Sequence, residues 1–196
     1  MKPTSSQINQ KVQQLLESPS VREPTRNALL KRIEISKQNC FFNEIDFQLL
    51  SVVCDLLMDQ EPGNRIVNVA VFIDERLTGN TCDGWRYDEM PRDEEMYLRG
   101  LEGIDETSVQ TFQKRFMELK KEEQLLVLSQ IQNGTATGNM WKTLSAKRFF
   151  EEILAEATEI FFSYPAVQME INYSGMADAG GWKRVGLNEK DDVEKV

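Results

Sequence analysis

Apolar residues in this 196-residue chain recur at intervals of three and four along nearly every readable segment, and no convincing strand run interrupts them. A chain patterned this way buries stripes rather than sheet faces and is expected to fold as packed helices. Ser5 or Ser6 is placed to cap a first helix that reaches Leu16, ahead of the break at Ser18-Pro19. Pro24 suits the first turn of a second helix, with Ala28, Leu29 and Ile33 on one stripe. Asn43 is predicted to cap a stronger helix, its carboxamide accepting from first-turn amides and Asp46 standing at the acidic third position. Phe42 and Phe47 flank that cap at hydrophobic-staple spacing, and Leu49, Leu50, Val53, Leu56 and Leu57 continue the stripe.

After the turn Glu61-Pro62-Gly63-Asn64, the positions Ile66, Ala70, Ile73 and Leu77 repeat at helical spacing and Gly79 closes the run. Pro91 and Asp93 open a long helix carrying Met96, Tyr97, Leu101 and Ile104 and reaching toward Phe112. Gly100 and Gly103 lie inside it and would weaken an isolated helix by roughly 1 kcal/mol each, which reads as close packing by a neighbouring helix. Lys120 to Gln132 predicts another helix, with Leu125, Leu128 and Ile131 inward. Ser145 caps a last one (Phe149, Phe150, Ile153, Leu154, Ala157, Ile160, Phe161) that Pro165 terminates. From Gln168 to Leu187 no period stands out. The expected fold is all-α, a single-domain helical bundle with long irregular loops. Residues 1–40 form an N-terminal helical extension packing on the core, 41–187 the main helical domain, and 188–196 a charged flexible tail.

The chain contains no histidine. Ser/His and Cys/His nucleophile pairs, imidazole bases, histidine-ligated metals and C-x-x-C-H haem attachment are therefore all excluded. Neither G-x-G-x-x-G nor a lysine-bearing phosphate loop is present, and Gly134-Thr135-Ala136-Thr137-Gly138 reads as a helix stop plus a connection. Carboxylate pairs such as Glu94/Glu95, Glu122/Glu123, Glu151/Glu152 and Asp191/Asp192 read as solvated faces or first-turn charges, and nothing selects one for catalysis. The net charge of −9 repels phosphate backbones, so nucleic acid is not an expected partner. No apolar run is long enough for a membrane span. Of the three cysteines, Cys54 sits in an apolar helical pattern and reads as a core residue; a Cys40–Cys82 or a Cys54–Cys82 bridge stays open.

Two places look more specific than core filling. Trp85-Arg86-Tyr87 falls on a loop, and these residue types dominate interface hot spots, although they could equally pin the loop to the helices. Gly180-Gly181-Trp182-Lys183 again sets an aromatic in glycine-rich backbone, as a docking hook or as a plug over the bundle end. Trp85, Arg86, Tyr87 and Trp182 are the candidate partner contact.

In order along the chain, several landmarks resemble the gluconate 2-dehydrogenase subunit 3 family. They are Phe41-Phe42-Asn43-Glu44, Val71-Phe72-Ile73-Asp74-Glu75-Arg76-Leu77, and Tyr97-Leu98-Arg99-Gly100-Leu101-Glu102-Gly103-Ile104-Asp105. Phe116-Met117-Glu118-Leu119, Glu122-Glu123-Gln124, Phe161-Phe162-Ser163-Tyr164-Pro165 and Gly181-Trp182-Lys183-Arg184-Val185-Gly186 follow. The resemblance spans about Phe41 to Gly186 and assigns residues 41–187 to a domain of that type. It implies a non-catalytic accessory or maturation subunit of a flavin-dependent sugar or sugar-acid dehydrogenase. The flavin (FAD) and the catalytic histidine then belong to a large subunit of the glucose-methanol-choline oxidoreductase type, and electrons leave through a cytochrome c subunit. This chain is expected to bind no cofactor and no metal.

Two departures accompany the resemblance. Family members have a short Gly-Gly-Asn stretch after the Ser-x-Pro element, where this chain has the longer and different Ala166 to Ala179. Met1 to Gln7 carries neither a twin arginine nor an apolar leader segment. As written, the chain is expected in the cytoplasm, whereas the resemblance implies the periplasm beside an exported partner. The competing readings are a stand-alone protein stacking a sugar or sugar acid on the loop aromatics, and an enzyme working through carboxylates alone.

Overall fold

The computed structural model describes residues 5–33, 41–79, 87, 90–173, 175–178 and 186–190. Among them the chain is all-helical: α1 (Ser5–Leu16), α2 (Glu23–Ile33), α3 (Glu44–Leu57), α4 (Val69–Thr78), α5 (Asp93–Phe112), α6 (Lys121–Gln132), α7 (Ala146–Ser163) and α8 (Pro165–Glu170). Three single 3-10 turns, Pro62–Asn64, Phe116–Glu118 and Met140–Lys142, punctuate the connections. The chain divides into two compact units, one drawn from 1–35, 63–67 and 160–196, the other from 36–62 and 68–159.

The first unit holds α1, α2 and α8 around Val12, Leu16, Val21, Leu29, Ala166 and Met176. On α2 the inward stripe is Leu29 with the half-buried Leu30 and Ile33, and Ala28 is exposed. The helix turns its larger side chains to the core because they remove more apolar area from water than Ala28 would. Pro165 both stops α7 and starts α8, since its fixed φ and missing N–H suit a first helical position. At six residues α8 is too short to show a period, which is why no helix was expected there. Two polar clamps close the unit. Arg26 donates to the Leu16 carbonyl, an acceptor left open where α1 ends, and to the Val21 carbonyl in the connection to α2. Asp178 accepts from the Arg22 backbone N–H at 2.8 Å, the Arg22 guanidinium at 2.7 Å and the Thr25 hydroxyl at 3.0 Å. Its negative charge thus sits at the start of α2, where the helix dipole favours it.

The second unit holds α3, α4, α5, α6 and residues 146–159 of α7. Asn43 caps α3 as expected, its side-chain oxygen accepting from the Asp46 N–H at 3.0 Å. The buried Asp74 of α4 accepts from the N–H groups of Phe41 (3.2 Å) and Phe42 (2.9 Å), fixing the chain as it enters α3. Along the core run the rings of Phe42, Tyr97, Phe149 and Trp141, successive centroids 6.2, 6.5 and 5.8 Å apart. The close approach predicted at the α5 glycines is present. A Cβ on Gly100 would stand 2.0 Å from the Phe149 ring, and one on Gly103 2.5 Å from Trp141. The Trp141 indole N–H donates to Thr107 at 2.8 Å, so the large ring is also polar-anchored.

On α6 the buried positions are Gln124, Val127, Leu128 and Ile131, whereas Leu125, expected inward, is 44% exposed. Gln124 takes an inward place because its amide donates to the Phe116 carbonyl at 3.0 Å, leaving no unsatisfied polar group. Glu123 reaches back to the Lys120 N–H at 2.8 Å, in keeping with the first-turn role expected of Glu122/Glu123. Gly134 stops α6 at φ +67°, with Gly134 N–H bonded to the Ile131 carbonyl and Thr135 N–H to that of Gln130, a Schellman stop rather than a phosphate loop.

Gly100→Ala is expected to destabilise the protein by about 2 kcal/mol through overpacking against Phe149. Thermal unfolding followed by circular dichroism checks this, with Gly63→Ala, which meets open space, as the near-neutral comparison. The hydrogen bonds from Arg22 hold the Asp178 carboxyl at about 2, below its ordinary 3.8. A folded-state value below the unfolded one stabilises above about pH 4 and loses that contribution as pH falls toward 2. Asp178→Asn is therefore expected to unfold at a lower temperature than the unmodified chain at pH 7, and the gap is expected to close on titration toward pH 2.

Candidate partner-docking surface

Ionisable groups from three helices of the second unit converge on Arg76 of α4. Its Nε and Nη2 donate to the two oxygens of Glu156 on α7 at 2.6 and 2.8 Å, and Nη1 donates to Asp93 on α5 at 2.6 Å. The Tyr97 hydroxyl, fully buried, donates to Glu156 Oε2 at 2.6 Å. Burial first, then the adjacent Glu156 carboxylate, hold the Tyr97 hydroxyl protonated well above the ordinary phenol range. Burial alone would lower the Arg76 guanidinium, but Glu156 and Asp93 outweigh it and leave it above its usual value. Every Glu156 oxygen is engaged, and Tyr97 has no face toward solvent. The cluster clamps three helices, with the Glu156 carboxylate and the Tyr97 hydroxyl already bonded within it.

Sequence inspection placed Tyr97 on a core stripe and Asp93 at a helix start, and missed Arg76 and Glu156. A usable signal existed for Glu156, which falls three residues after the buried Ile153, on the inward rows of α7. A carboxylate there requires a waiting cation.

A groove of about 550 Å³ opens along α3 and α5 of the same unit. Its apolar lining is Ile45 and Leu49 from α3 with Leu98, Leu101 and Val109 from α5. Three of these remain in water: Ile45 is 63% exposed, Leu98 43% and Val109 42%. Asp46, Glu102, Asp105 and Glu106 edge the groove, against the single guanidinium of Arg115. Asp105 accepts from the Phe116 N–H at 2.9 Å, and Glu106 from the Met140 N–H at 2.9 Å, so both are held in place. Glu102 is exposed and makes no ion pair among the described residues. The lining has no aromatic ring on which a sugar could stack.

Of the four residues expected at a partner contact, Tyr87 is half-buried, with the Arg148 guanidinium 4.2 Å from its ring centroid. Trp85, Arg86 and Trp182 lie outside the described residues, as do Cys40 and Cys82. Cys54 is a buried thiol in the core, as expected. Among the described residues no group of three or more carboxylates or thiols is arranged to hold a metal. No helix there is long and apolar enough to cross a membrane.

A family model described as Gluconate 2-dehydrogenase subunit 3 matches residues 44–183, the greater part of the chain. No curated protein and no solved structure matches the chain at a significant level. Within the matched span the Arg76 clamp joins α4, α5 and α7. Arg76→Met is expected to cost about 2 kcal/mol, because it leaves the half-buried Glu156 and Asp93 carboxylates without their cation. Arg76→Lys is expected to restore only part of it, a single ammonium being unable to span Glu156 bidentately and Asp93 together. Denaturant unfolding of the two variants checks both outcomes.

Proposed function

The chain belongs to the gluconate 2-dehydrogenase subunit 3 family, and we propose that it is the non-catalytic accessory subunit of a flavin-dependent dehydrogenase of the glucose-methanol-choline type. Membership itself implies a subunit of a dehydrogenase complex. In the finer reading a large partner carries FAD and oxidises gluconate or a related sugar or sugar acid. A cytochrome c subunit takes the electrons, and this chain assists the partner's folding and assembly.

The observation that carries the reading is the family match over 44–183. The chemistry of the chain supports it. With no histidine in the sequence, an imidazole base to take the hydroxyl proton while an alcohol gives up hydride to a flavin would have to come from another chain. The carboxylates nearest to an acid/base cluster, Glu156 and Asp93, are consumed by Arg76 and Tyr97. The contact with the large subunit is proposed to include Trp85, Arg86, Tyr87 and Trp182, residue types suited to the centre of an interface.

Co-expression of the tagged chain with a flavoprotein oxidoreductase encoded beside it tests the proposal. The expected pull-down contains a large second band and shows flavin absorbance in the visible. A colourless, solitary 22.6 kDa protein recovered while the flavoprotein is soluble and folded would overturn it.

A further inference from the structure

The geometry points to the α3–α5 groove as the seat of a cationic amphipathic helix contributed by the flavoprotein partner, an inference that rests on the accessory-subunit reading. From Leu98 to Val109 the groove runs roughly 16 Å at about 1.5 Å per residue, the length of about three helical turns. Its exposed aliphatic side chains, Ile45, Leu98 and Val109, stand on two neighbouring helices and leave a channel between them, the geometry into which an amphipathic helix lays its apolar face.

Charge selects the occupant. The groove carries four carboxylates and one guanidinium, and Arg115 already leans on Asp105, its Nη1 3.9 Å from the carboxylate. Asp46, Glu102 and Glu106 are left to face an incoming segment with an excess of negative charge. Lysines or arginines flanking the apolar stripe of the occupant would complement them. A second copy of this chain would bring the same acidic rim and a net charge of −9 against itself, which opposes association. The partner helix is therefore apolar on one face and basic along its edges.

Pull-down of the flavoprotein with groove variants tests this. Leu98→Asp is expected to lower the retained flavoprotein about tenfold, and Glu102→Lys to lower it several-fold, an effect that shrinks as salt is raised. Leu126→Asp, at an exposed leucine of α6 outside the groove, is expected to retain the partner as the unmodified chain does. Zero-length carbodiimide coupling of the complex is expected to join Glu102 to a lysine in a helical, apolar-striped segment of the partner. If Leu98→Asp unfolds by circular dichroism, Glu102→Lys and the cross-link decide. Retention unchanged in the folded groove variants would overturn the groove while leaving the accessory-subunit reading intact. Absence of flavoprotein with the unmodified chain would remove that reading, and this inference with it. A dimer of the chain alone that Leu98→Asp converts to monomer would assign the groove to self-association and overturn the proposal.

Discussion

Three helices of the second unit meet on one guanidinium. Arg76 spends its donors on Glu156 of α7 and Asp93 of α5, and Tyr97 adds its hydroxyl to the same Glu156 carboxylate. The planar fork of arginine allows this, since two parallel bonds to one carboxylate leave a third donor for another. The ring of Tyr97, held by that bond, lies between Phe42 and Phe149 and so continues the polar clamp into the aromatic core. Phe149 in turn fills the space that Gly100 leaves open, which sets how closely α7 approaches α5. Asp74, two residues before Arg76 on the same helix, fastens the Phe41-Phe42 segment through its backbone amides. One short helix thus orients the entrance to α3 and the crossing of α5 and α7.

Several of the residues through which the chain resembles its family belong to this framework. Phe42, Asp74, Arg76, Tyr97, Gly100, Gly103 and Phe116 point inward or bond inward, and their work is done within the fold. A motif of this kind preserves a shape. What such a shape presents outward is then the place to look for the role of the protein, and here it is an aliphatic groove with an acidic edge. Two of its carboxylates, Asp105 and Glu106, are positioned by backbone amides of the Phe116 and Met140 turns.

Much of the helical content was legible because period and caps agree locally. Asn43, Pro24, Gly79 and Pro165 mark boundaries through effects confined to one turn of chain, and α3, α4 and α5 follow their apolar stripes closely. The readings that failed depend on a neighbour. Leu125 is the larger apolar residue beside Gln124, yet Gln124 is buried because the Phe116 carbonyl awaits its amide. Ala28 gave way to Leu30 for want of size. The α3–α5 groove left no periodic trace, since Ile45, Leu98 and Val109 sit at the margins of stripes whose centres are buried.

The sequence by itself determined the all-helical class, the family and the absence of imidazole chemistry, because these follow from local periodicity, ordered motifs and composition. Only the tertiary structure decided that α1 and α2 share a unit with α8, near the other end of the chain, through Val12, Leu29, Ala166 and the Arg22–Asp178 clamp. It alone decided that Arg76 faces Glu156 across 80 residues, and that α3 and α5 leave a channel between them. Pairings over such separations carry no local signature: each partner is an ordinary residue until the fold brings the other within hydrogen-bond reach.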